Sequence, residues 1–194
     1  KDVTLTANDL VALEEVIGSG LGSESLTLVN HNANINVSNL ETLSVDNVAS
    51  VINDDESLVN LSVGSGVNAV VNDASNIVSL TGKAGTAESV TINGNGSAEI
   101  TTVELDTLTV TESATFNNDT ALDVINGDSA GAGEALTLVN TFDGELVKFS
   151  TVTVNGASNN LDLTDVIDLV VGAAAVITSD ANLATVTGDG TSDI

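Results

Sequence analysis

The chain has no cysteine and no proline, and it has no arginine either. Without cysteine there are neither disulfides nor thiolate metal sites, and the redox state of the compartment leaves no mark on the sequence. Without proline every residue keeps a backbone N–H after the first, which suits regular hydrogen-bonded strands. The only cationic side chains are Lys1, Lys83 and Lys148, against 28 acids, for a formal net charge of −25. Nucleic acid is thereby excluded as a partner, because its phosphates are bound by Lys and Arg that release counterions. Anionic membrane surfaces are excluded on the same ground. Closely spaced surface carboxylates repel one another within the Debye length of about 8 Å and invite cations.

Aromatic side chains are nearly absent as well, with three Phe and no Trp or Tyr. The groups that stack on sugars and clamp carboxylates are therefore missing. The single histidine, His31, lies in the Asn-rich stretch LVNHNANIN, where it has neither a second His nor a Cys with which to form a triad or a zinc site. The longest apolar run, VIDLVVGAAAVI at 166–177, is about half a membrane span and contains Asp168, so no membrane insertion is expected. The N-terminal KDVTLTANDL lacks a signal-peptide core, and we read residues 1–194 as one elongated repeat-containing domain from a longer protein.

What is present is Val, Leu, Ala, Ile and Thr, with an apolar fraction of 42 %. That composition predicts an all-β fold around a thin aliphatic core. Two elements recur. The first is a glycine-rich bend followed by an acid and an alternating strand: GSGLGSESLTLV at 18–29, GKAGTAESVTI at 82–92 and GDSAGAGEALTLV at 127–139, with GDGTSDI at 188–194 entering the same pattern. The second is a six-residue strand seen in LETLSV (40–45), LVNLSV (58–63), IVSLTG (77–82), LDTLTV (105–110), FSTVTV (149–154) and LATVTG (183–188). The first starts fall 18 and 19 residues apart, within the range of one β-solenoid turn, and the later intervals are longer and uneven. In a straight strand Leu40 and Leu43 would point to opposite faces, so a bend, a bulge or two-sided burial has to reconcile them. Residues 8–20, NDLVALEEVIGSG, fit either a short helix with Leu10, Leu13, Val16 and Ile17 on one face or a strand.

The bends carry no Lys-Ser/Thr pair and so are not phosphate loops. Acids held in tight turns suit hard cations, which take several oxygen ligands. Glu24, Glu88, Asp128, Glu134, Asp189 and Asp193 are the candidate calcium ligands, the alternative being solvated acids beside turns. The acidic clusters NDDE (53–56) and NND (117–119) read as solvated loops, and recurrent Thr-x-Thr pairs such as Thr107/Thr109 and Thr151/Thr153 as ordinary strand threonines.

GSGLGSESLTLV followed by NLETLSV, with VELDTLTV at 103–110 as a looser copy, resembles the repeats of bacterial surface-layer proteins and of RTX-type secreted surface proteins. The resemblance implies a right-handed parallel β-solenoid, calcium-dependent self-assembly into a lattice, type I export and an extracellular, cell-surface location, with glycan attachment through regions outside this chain. The two-glycine calcium nonapeptide does not occur intact and the spacing is uneven, so a β-sandwich stands as the alternative fold. The expected function is that of a structural subunit of a surface layer or extracellular fibre, not an enzyme. An adhesive or ligand-binding module of a large adhesin is the second reading. A polysaccharide-acting β-helix enzyme, for which Lys83 or Lys148 would have to serve as base, is the third, and a filament formed by exchange of VTLT (3–6) is a further one.

Overall fold

A computed structural model describes residues 2–6, 13–20, 24–29, 34–46, 50–54, 57–94, 99–128 and 133–188, with backbone alone for 2–6. The first strands are β1 (Asp2–Thr6), β2 (Glu15–Ile17), β3 (Ser25–Val29), β4 (Asn34–Ser38), β5 (Thr42–Asp46), β6 (Ser50–Asp54) and β7 (Asn60–Val63). They are followed by β8 (Asn68–Asn72), β9 (Ser79–Thr81), β10 (Ser89–Ile92), β11 (Glu99–Val103), β12 (Thr107–Val110), β13 (Ala114–Asn117) and β14 (Val124–Asn126). The last are β15 (Ala135–Leu138), β16 (Gly144–Val147), β17 (Thr151–Val154), β18 (Ser158–Thr164), β19 (Asp168–Val171), β20 (Ala175–Ser179) and β21 (Thr185–Gly188). Odd-numbered strands form one 11-stranded parallel sheet in sequence order, and even-numbered strands form a 10-stranded parallel sheet. Each coil contributes one strand to each sheet and the next coil lies about 4.8 Å further along. This is the parallel β-solenoid expected from the sequence, and the β-sandwich alternative is set aside.

Inward side chains stack from coil to coil. Ile35, Ile52, Val71, Ile92 and Val110 align through successive pairings in the even sheet, and Leu26, Leu43, Leu61 and Leu80 in the odd sheet. All are buried, as are the three phenylalanines, Phe116, Phe142 and Phe149. Aliphatic rows of this kind suit the narrow space between two sheets, each Leu or Ile contributing about 1.5–3 kcal/mol by leaving water.

The conflict between Leu40 and Leu43 is resolved by a corner. Asn39 takes a left-handed backbone (φ 52°), Leu40 then turns inward, and the strand begins only at Thr42. Glu104, Lys148 and Asp165 do the same ahead of the buried Leu105, Phe149 and Val166. A left-handed residue that is not glycine costs about 1–2 kcal/mol, and the neighbouring coil helps to hold it. The Glu104 N–H donates to Asp119 Oδ2 at 2.6 Å and the Asp165 N–H to Asp180 Oδ2 at 2.9 Å. On the outer face of the even sheet an asparagine ladder links four coils: Asn53 Nδ2 donates to Asn36 Oδ1 (3.0 Å), Asn72 to Asn53 (2.7 Å) and Asn93 to Asn72 (2.8 Å).

Of the two readings left open for 8–20, the strand holds at Glu15–Ile17, which pairs in register with Asn36–Ser38; residues 8–12 lie outside the described residues. The reading of the two acidic clusters needs correction. Asn53 and Asp54 belong to β6, and Asp54 is buried, its two oxygens accepting the Leu58 N–H at 3.2 and 3.0 Å. Asn118 is likewise buried and donates to the Thr141 carbonyl, so neither acidic cluster is simply a solvated loop. Asp55, Glu56 and His31 lie outside the described residues.

Candidate functional site

The three glycine-rich bends are corner loops of one design. Each is tied to the following coil at both ends. The first glycine donates to a strand-end carbonyl there: Gly18 to Ser38, Gly82 to Val103 and Gly127 to Val147, at 2.7–2.8 Å. The closing acid's carbonyl accepts from the same coil, Glu24 from Thr42, Glu88 from Thr107 and Glu134 from Ser150, each at 3.1 Å. The first glycine is compulsory because the left-handed residue of the next coil passes against it. A Cβ would lie 1.9 Å from the Asn39 carbonyl oxygen at Gly18, 2.1 Å from that of Glu104 at Gly82, and 2.3 Å from that of Lys148 at Gly127. The two sequence repeats are thus two halves of one corner, the bend in one coil and the left-handed turn with its buried Leu or Phe in the next.

The acids share this position but differ in surroundings. Glu24 receives the N–H of Ser19 at 3.3 Å and the Ser19 hydroxyl. The Ser19 hydroxyl, aided by the Ser19 and Gly20 amides, holds its carboxyl below the usual range. Glu24 also faces the adjacent coil across a cavity of about 180 Å³ lined by Gly20, Asn39, Glu41 and Ser57. Glu88 is buried and accepts the Thr86 hydroxyl and, at 3.4 Å, the Lys83 N–H. Its own N–H donates to Asp106 Oδ2 at 3.1 Å from the next coil.

Glu134 is the exception. It is 7 % exposed, and its Oε2 is buried without a hydrogen-bond partner. Burial raises its carboxyl above the usual range, and the carboxyl of Asp128 beside it adds to the effect. The residue after the first glycine accounts for the contrast. Glu24 and Glu88 face a donor at Ser19 or Lys83, whereas in the third bend that place is taken by the acid Asp128.

Of the six predicted cation ligands, Asp128 and Glu134 come together, while Glu24 and Glu88 belong to separate corners and Asp189 and Asp193 lie outside the described residues. Among the described residues there is no group of three or more His, Cys, Asp or Glu placed to hold a metal. Glu41 and Asp106, which face the loop acids from the next coil, were not singled out from sequence. The signal was available, since each follows the corner leucine of the six-residue repeat. Other acids serve the scaffold. Asp143 accepts the Asn159 N–H and the Asn160 N–H (3.1 Å), and Asp180 accepts the N–H groups of Asp165 and Asn182, each at 2.9 Å. These backbone donors lower both carboxyls. No helix of the described residues is long and apolar enough to cross a membrane.

Comparison of the chain with protein-family models, with curated proteins and with solved structures gave no match.

Proposed function

We propose that the chain is a structural cell-surface protein, a subunit of a surface layer or extracellular fibre that assembles end to end and side by side with divalent cations. One observation carries the reading. The two parallel sheets keep their register through every described coil, and a stack of this kind is extended by adding coils along its axis. Contacts along such an axis are heterologous, so copies that stack head to tail give a filament instead of a closed dimer. At a net charge of −25 the copies repel, and cations between carboxylates offset that repulsion.

The test is electron microscopy of concentrated protein with calcium and then with chelator. Filaments or sheets that disperse on chelation support the whole reading, order that survives chelation removes the cation from it, and a chain that forms no assembly in calcium overturns it. The Glu24 cavity favours a second reading, an adhesive module that binds a small polar ligand. Sedimentation separates the two, since such a module stays monomeric at high concentration.

A further inference from the structure

We propose that the third corner loop, and not the first or second, is a divalent-cation site whose ligands come from Asp128, Glu134 and the Ser150 hydroxyl. The inference rests on the cation-dependent reading above but concerns a site within one chain. Three observations meet there. Glu134 is more than nine-tenths buried and one of its oxygens has no partner. A buried carboxylate oxygen without a donor calls for a neutralising partner, and the side chain beside it is a second acid, Asp128. On the side of the next coil Ser150 Oγ accepts the Gly133 N–H at 3.0 Å, which places a hydroxyl oxygen against the same loop.

The other loops lack this demand. Glu24 is satisfied by Ser19, and Glu88 by Thr86 and Lys83. The donor set is all oxygen, which suits calcium or magnesium, and a short loop with few fixed ligands favours the larger ion with its looser geometry. The remaining ionisable residues on the flanking corners are Glu112 on one side and Lys148 on the other.

The experiment is a calcium chloride titration of dilute chain followed by backbone amide NMR, with magnesium chloride in parallel. The expected result is saturable shifts at Gly133, Glu134, Ala135 and Ser150, with one ion per chain at saturation. Asp128→Asn and Glu134→Gln should weaken that site at least tenfold, while Glu24→Gln leaves it unchanged. A native amide spectrum of each variant before calcium is added shows that loss of binding is not loss of fold. Shifts that are spread over all acidic corners without saturating, or that persist in both variants, overturn the proposal. Saturable binding by a chain that never assembles would sink the assembly reading and leave this site standing.

Discussion

Thr102 offers a sharp test of the packing argument, because it is a hydroxyl at the end of a row of leucines. It lies on β11 facing inward, 1 % exposed, in register with Leu80, and its Oγ1 has no hydrogen-bond partner. Removing a buried hydroxyl from water without a compensating bond costs about 1–3 kcal/mol. Valine has the same branched shape and no polar atom. Thr102→Val is therefore expected to stabilise the protein by about 1–3 kcal/mol. At about 2–4 °C per kcal/mol for a chain of this size, the thermal midpoint should rise by roughly 2–12 °C. Urea unfolding should show a higher midpoint at unchanged slope. Because a coil stack opens locally, slower amide exchange at Leu80, Thr102 and Phe116 should accompany the change. An unchanged or lower midpoint in a natively folded variant would refute the reasoning, since it would mean that the hydroxyl has a partner in solution.

Gly82→Ala should destabilise by about 2–4 kcal/mol, because its Cβ meets backbone atoms of Glu104 and Leu105 that cannot swing away. Gly66→Ala, with open space but φ of 68°, should cost only about 1 kcal/mol; equal midpoints in urea would contradict the close-approach argument. Asn72→Ala removes two rungs of the asparagine ladder and should cost about 1–2 kcal/mol, against about half that for the end residue Asn36, as judged by the same unfolding curves. Asp143 and Asp180 are lowered in the folded state, so the stability they contribute is fully present above the ordinary carboxylate range and disappears as pH falls through their folded values. Acid titration of the Asp143→Asn variant should accordingly show a flatter loss of stability than the parent chain, and an identical profile would remove the claim.

The solenoid was legible because the dominant signals are physical and local: alternation in TLSV or TLTV, no proline, and glycine where the chain turns. β6 was hidden because its inward residues are Ser50, Ile52 and Asp54, two of them polar, so burial has no apolar signature. FSTVTV (149–154) reads as a strand from its first residue, whereas the strand begins only at Thr151, because the corner before it is made by Lys148 at φ 63°, where neither glycine nor asparagine announces a turn. At the loops, sequence identified Glu24, Glu88 and Glu134 as equivalent, and their positions are. Their environments are not, since those depend on whether Ser19, Lys83 or Asp128 follows the first glycine and on which residue the next coil presents.

The double tether of each corner loop has a consequence for how such a chain can change over evolutionary time. Because the first glycine and the closing acid are each fixed to the following coil, the number of residues between them is not set by the register of the sheets. The third bend already holds one residue more than the first two without displacing a strand. Insertions at these sites would alter what the edge of the stack displays while leaving its length untouched, and only gain or loss of a whole coil would lengthen or shorten it, in steps of about 4.8 Å. Surface chemistry and reach are in this way separately adjustable in one polypeptide.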